Sequence, residues 1–295
     1  MLFSSAILNS YMFRFWASFF LLLCSVSAAA DARVQCGAMK SKYVPGRIGF
    51  CAMLPPSYDA HPSKRFPVLY FLHGLGGDQS FLASSGASSA IEDAWEQKRL
   101  GEFVLITPQG ENSFYINSRD GHVLYEDFFI REFVPQMERR FRVLNTRSGR
   151  AIEGVSMGGY GALRFAFKYP QMFVSVGAHM PALLQQLPHG ASTTGLTAFL
   201  GAAFGSPLNE RFWQENTPFV FARTGNLQSI KIYFDCGDHD MYGFDAGTRQ
   251  LDRLLTERHV AHEAHIYPGG HNWQYVSEHL DQSLEFHSRA FGLTK

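Results

Sequence analysis

Apolar residues recur along this chain in short, nearly unbroken runs separated by helical patterns. Residues 66–72, 103–108, 151–155, 173–177 and 230–234 are such runs, and 263–267 is a weaker one. Continuous apolar runs of this length predict strands covered on both faces. Between them, Phe129, Phe133 and Met137 recur at helical spacing within 125–140, where Pro135 should kink or split the helix. Further helices are expected over 162–169, through Leu251, Leu254 and Leu255, and over much of 273–291. Residues 31–56 suggest two short strands about a turn at Pro45-Gly46. Strands alternating with helices predict an α/β fold with a mostly parallel central sheet flanked by helices on both faces. Residues 181–228 interrupt the alternation. They carry Leu183, Leu187, Phe204, Trp213 and Phe219 among prolines and glycines, and are expected to form a small excursion of short helices over the site.

The first thirty residues have a different character. Arg14 precedes an apolar stretch over 15–23, and Ala28-Ala29-Ala30 closes it. A positive flank, a short apolar core and a small-residue end predict a secretory leader, residues 1–30, cleaved after Ala30. The stretch is short for a spanning helix, so no stable membrane insertion is expected after cleavage. The remainder, 31–295, is expected to be one domain, secreted or periplasmic. Loss of the leader removes Cys24 and leaves Cys36, Cys51 and Cys236. In an exported protein Cys36 and Cys51 are expected to pair across the hairpin. Cys236 is expected to be a buried small side chain. Acidic and basic residues balance at 26 each among 295, and this opposes nucleic-acid binding, which needs a basic face.

The chemistry concentrates at strand ends. Gly154-Val155-Ser156-Met157-Gly158-Gly159-Tyr160-Gly161 joins the 151–155 strand to the next helix. A serine in Gly-x-Ser-x-Gly sits on a sharp turn with its hydroxyl clear of the sheet, and the glycines let strand and helix approach. Ser156 is therefore the candidate nucleophile. The base expected to activate it is His271, which follows the last strand and Gly269-Gly270. An acid must then fix the imidazole. Asp240, in the loop after the preceding strand, is favoured over Asp238 and Asp235. An oxyanion needs two N–H donors, one from the residue after the nucleophile, Met157, and one from the loop His73-Gly74-Leu75-Gly76-Gly77, where Leu75 is the natural donor. His73 is expected to brace that loop. Gly74 and Trp273 are candidate substrate contacts.

His259, His262 and His265 are spaced like a metal cluster but straddle a helix end and a strand, so no metal is expected. Glu126 and Asp127 open a helix, where acids suit the dipole, and could support the 112–120 loop.

Leu54-Pro55-Pro56-Ser57-Tyr58, Leu72-His73-Gly74-Leu75-Gly76-Gly77, the serine motif, Gly237-Asp238-His239-Asp240 and Tyr267-Pro268-Gly269-Gly270-His271-Asn272-Trp273 together resemble one family. The chain is similar to the esterase-D/antigen-85-type esterases of the α/β-hydrolase fold. That group includes feruloyl, acetyl and tributyrin esterases, S-formylglutathione hydrolases and mycolyltransferases. The resemblance implies hydrolysis of a short-chain or carbohydrate-linked ester through an acyl-enzyme, without metal or organic cofactor. It also implies Ser156, Asp240 and His271 as triad and Leu75 and Met157 as oxyanion donors. Acyl transfer would use the same triad, and a formylglutathione hydrolase would be expected in the cytosol, against the leader.

Overall fold

A computed structural model describes residues 33–188 and 195–294. The expected leader lies outside the described residues, as do positions 189–194 of the expected excursion. Among the described residues eight strands form one sheet: β1 (Arg33–Lys40), β2 (Arg47–Leu54), β3 (Val68–Leu72), β4 (Val104–Pro108), β5 (Arg150–Val155), β6 (Ser175–His179), β7 (Lys231–Gly237) and β8 (Glu263–Tyr267). Their order is β1-β2-β4-β3-β5-β6-β7-β8. Only the β1–β2 and β2–β4 pairs are antiparallel. Strands β3 to β6 are buried at every position, as their near-continuous apolar runs require.

From β3 the chain passes to β4 on one side, then returns to β5 on the other. Loops leaving β3 and β5 therefore diverge at their C-terminal ends and open a crevice between them. Those ends carry the Gly74–Leu75 loop and Ser156.

Among the strands, β6 and β7 differ most from their expected bounds. The strand expected over 173–177 starts at Ser175 and runs to His179, and β7 continues through Asp235 to Gly237. His179 pairs with Val155 on one side and Asp235 on the other. His179 and Asp235 are wholly buried. A buried ionisable residue ends an apolar run in the sequence while the sheet continues through it.

The 125–140 helix is split, as Pro135 predicted. Tyr125–Phe128 and Val134–Arg140 are α-helical, and Phe129–Phe133 is a π turn. Pro135 falls in the first turn of the second α segment, where its missing N–H is tolerated.

In the excursion, helices cover Gly195–Phe204, Glu210–Asn216 and Pro218–Thr224. Leu200, Phe204, Trp213 and Phe219 are buried. A polar anchor ties this layer to the helix Met157–Lys168. Arg164, wholly enclosed, donates to the Asn216 carbonyl at 2.9 Å, to Asn216 Oδ1 at 2.7 Å and to Glu126 at 2.7 Å, while Tyr160 Oη donates to the same carbonyl at 2.8 Å. In the β1–β2 register Cys36 stands opposite Cys51, with Cα atoms 4.0 Å apart and sulfurs at bonding distance.

Candidate active site

Ser156 follows β5 and precedes the helix Met157–Lys168. Its backbone lies at φ 56°, ψ −115°, a conformation costly for a residue with a Cβ. The turn is held from both sides. Ser156 N–H donates to the His179 carbonyl at 2.9 Å, and its own carbonyl accepts from Tyr160 and Ala182, each at 3.0 Å. Glycine is needed where strand and helix cross. A Cβ on Gly158 would lie 1.9 Å from the Leu72 carbonyl oxygen, and one on Gly154 would lie 2.4 Å from that of Gly158.

His271 Nε2 lies 2.9 Å from Ser156 Oγ, and His271 Nδ1 lies 2.7 Å from Asp240 Oδ2. Asp240 is mostly buried. Its Oδ1 accepts from Tyr242 N–H at 2.9 Å, and Cys236 Sγ lies 3.5 Å from its Oδ2. Burial alone would raise the Asp240 carboxyl, but its bond to His271, the imidazole charge and the backbone N–H donors hold it below the ordinary carboxylate range. Burial pushes the Cys236 thiol far up, which keeps it protonated. Asp238 and Asp235, the other acids considered, are engaged elsewhere. Asp238 Oδ1 accepts from Gly269 N–H at 3.0 Å, which ties the two loops carrying Asp240 and His271. Asp235 faces His179.

Gly74 lies against Ser156, so close that a Cβ there would be 3.4 Å from the serine Cβ. His73 braces this loop. Its Nδ1 donates to the Gly74 carbonyl at 2.7 Å, and its Nε2 accepts from Gly110 N–H at 2.8 Å. Burial lowers its pKa, consistent with the neutral tautomer that this pattern demands. Met157 is the first residue of its helix, so its N–H belongs to the first-turn donors without an intrahelical acceptor. Leu75 and Met157 both line the cavity at Ser156.

That cavity has a volume of about 470 Å³ and is mainly apolar. Gly74 and Trp273, expected as substrate contacts, line it. Phe199, from the excursion expected over the site, also lines it, as do Phe81, Phe114, Met180 and Phe244, which the sequence did not mark as substrate contacts. Their only sequence signal was apolar character in loops and in the excursion. Tyr242 and Phe244 set their rings edge-on to His271, at 4.9 and 5.4 Å between centroids.

The remaining candidates are placed as follows. His262 Nε2 lies 2.9 Å from Asp252, and the His265 ring stacks on Tyr267. Among the described residues no group of three His, Cys, Asp or Glu is placed to hold a metal ion. Glu126 pairs with Arg164 and Lys168 rather than the neighbouring loop, whereas Asp127 does support that loop through Asn117 at 2.7 Å. Among the described residues no helix is long and apolar enough to cross a membrane.

A family model described as "Putative esterase" matches residues 41–287. The chain belongs to this esterase family. Over 245 residues it is 29% identical to an esterase of Mycobacterium tuberculosis, covering 76% of this chain and 52% of the relative, so it spans about half that protein's length. It is 26% identical to an acetyl esterase of Caldicellulosiruptor saccharolyticus, covering 77% and 85% of the two chains. Among solved structures, a ferulic acid esterase superposes with a TM-score of 0.77 at 25% identity, over 89% of this chain and 99% of the other. An S-formylglutathione hydrolase of Agrobacterium tumefaciens superposes with a TM-score of 0.72 at 18% identity, over 90% and 97%, and this likeness concerns the fold alone.

Proposed function

We propose that this esterase-family chain is an exported serine hydrolase that cleaves carboxylic esters through an acyl-enzyme on Ser156. The observation that carries the reading is the hydrogen-bonded line Asp240–His271–Ser156, at 2.7 and 2.9 Å, on a serine with positive φ. Ser156 Oγ adds to the ester carbonyl carbon while its proton passes to His271 Nε2. The carbonyl oxygen becomes an oxyanion facing the N–H groups of Leu75 and Met157. On collapse, the C–O bond to the alcohol breaks and His271 returns the proton to the leaving oxygen. Water then adds to the acyl carbon, giving its proton to His271. Release of the acid returns that proton to Ser156 Oγ. Asp240 keeps Nδ1–H directed at itself, so that Nε2 is free to accept. No metal or organic cofactor enters these steps.

The aromatic and methionine lining favours a compact acyl group, short-chain or aryl, of acetyl or feruloyl type, with the alcohol on a small molecule or a carbohydrate. The names of the acetyl and ferulic acid esterase relatives agree with this substrate class.

Hydrolysis of p-nitrophenyl esters from acetate to palmitate, together with a feruloyl ester, tests the assignment. The expected order places acetate, butyrate or ferulate first by kcat/KM, with palmitate lower by at least about tenfold, since a long chain outgrows the cavity. A palmitate optimum would contradict it.

A further inference from the structure

Beneath the candidate triad lies a second polar cluster that the proposed chemistry does not use. His179, at the end of β6, is wholly buried between two carboxylates. Its Nδ1 lies 2.8 Å from Asp235 Oδ2 on β7, and its Nε2 lies 3.0 Å from Glu153 Oε1 on β5. Glu153 and Asp235 are also wholly buried. The helix Trp273–Ala290 closes the cluster from the facing layer. Ser283 Oγ accepts from His179 Nε2 at 2.8 Å, and Tyr275 Oη donates to Asp235 Oδ1 at 3.0 Å. His287 Nε2 lies 3.5 Å from Glu153 Oε2, while its Nδ1 is 2.8 Å from Ser175 Oγ.

Each element gripped here carries one member of the triad a few residues later or earlier. Glu153 precedes Ser156 by three positions, and Asp235 precedes Asp240 by five. Tyr275 follows His271 by four on the helix that His271 leads into. The backbone repeats the connection. The His179 carbonyl accepts the Ser156 N–H at 2.9 Å, and the Asp235 carbonyl accepts the N–H of Met180, a cavity-lining residue, at 2.8 Å.

Stability does not explain such a cluster. Removing ionised groups from water costs several kcal/mol apiece, and well-packed apolar residues in the same volume often leave a protein equally or more stable. What opposite charges held 2.8–3.0 Å apart add is a defined spacing between the elements they join, which a displaceable apolar contact does not impose.

We propose that His179 is a positioning residue, a buried cationic bridge that sets the relative placement of β5, β7 and the C-terminal helix and thereby the Ser156–His271–Asp240 geometry. This rests on the serine-hydrolase reading above. The electrostatics agree with the bridge. Burial pulls the His179 imidazole toward neutrality, but the Asp235 and Glu153 carboxylates outweigh it and raise its pKa to about 10. His287 has no comparable pair of carboxylates, and burial lowers it to about 4.

The test compares wild type, His179→Gln, the apolar triple Glu153→Met/His179→Phe/Asp235→Leu, and Ser156→Ala. Rates are read per folded molecule, well below each melting temperature. His179→Gln is expected to lower kcat about 10–100-fold, the range for misplacing reacting groups by about an ångström. KM should stay within about threefold, because the cavity wall is intact. Labelling of Ser156 by a phosphonate should slow by the same factor as kcat. Loss of one member of a buried ionic set can itself unfold a protein, so the triple, which removes all the charges together, carries the test independently. It is expected to fold and to show the same selective loss of kcat. A folded variant of either kind with wild-type kcat and labelling rate, whatever its melting temperature, overturns the proposal. If Ser156→Ala retains activity, the hydrolase reading falls. If Ser156→Ala is inactive while His179→Gln keeps wild-type kcat, only the positioning role falls.

Discussion

Ser156→Ala is expected to reduce ester hydrolysis about 10⁴–10⁶-fold in kcat, leaving a residue of catalysis from the oxyanion donors and from substrate binding. The loss should be so large because the change removes the atom that forms the covalent intermediate, and no neighbouring side chain can replace it. Cys236, the one free cysteine among the described residues, is buried and its thiol is held protonated. The fold should tolerate the substitution. Ser156 anchors the elbow through its backbone, to His179, Tyr160 and Ala182, and alanine keeps all three bonds. KM should therefore change little while kcat collapses. Steady-state kinetics on a p-nitrophenyl ester, with circular dichroism to confirm folding, measures both. Retained kcat in the folded variant would remove Ser156 from the chemistry.

The thermal midpoint is expected to peak near pH 6.5 and to fall on both sides, for reasons located in the buried cluster around His179. On the alkaline side, His179 keeps its proton in the folded protein up to about pH 10, while an unfolded histidine releases it near 6.5. Above pH 6.5 the folded state thus holds one more proton than the unfolded state. Stability falls with rising pH until about 10, by about 1.4 kcal/mol per unit. On the acid side, His287 stays neutral in the fold down to about pH 4, while the unfolded chain protonates it near 6.5. Stability falls there as pH drops from 6.5 toward 4, with a similar slope. Between pH 7 and 9.5 the first effect amounts to roughly 3 kcal/mol, or a decline of about 6–12 °C for a domain of this size. Scanning fluorimetry from pH 4.5 to 10 reads it directly. A midpoint that is flat between pH 7 and 9.5 would show that His179 is not held as an imidazolium.

The two kinds of site differ in how well the sequence discloses them. Ser156 was legible because an elbow is a local device. The crossing of strand and helix leaves no room for side chains at 154 and 158, and that exclusion is written within five residues. His271 and Asp240 were legible through their placement after successive strands. Among Asp235, Asp238 and Asp240, however, only the fold shows which carboxylate faces the imidazole, because three acids within six positions point in different directions. The clamp around His179 was not legible. Glu153, His179, Asp235 and His287 lie far apart in sequence, and each looks like an isolated polar residue among apolar ones. Burial in the sheet turns them into a set, and burial of charge has no local pattern. The cavity wall was hidden for a related reason. Phe114, Met180 and Phe199 come from separate loops and from the excursion, where apolar residues show only that something is covered. The parallel sheet, by contrast, was readable almost throughout, because strands buried on both faces admit few polar residues. Its largest errors fell at β6 and β7, where His179 and Asp235 break that rule.

The most direct test of the account is to trap the nucleophile. Wild-type protein is incubated with an alkyl phosphonate that mimics the tetrahedral intermediate, and the adduct is mapped by peptide mass. The expected result is one adduct per chain, on Ser156, formed in proportion to the loss of esterase activity and absent from Ser156→Ala. Loss of activity with the adduct on another residue, or full activity with Ser156 quantitatively modified, would contradict it.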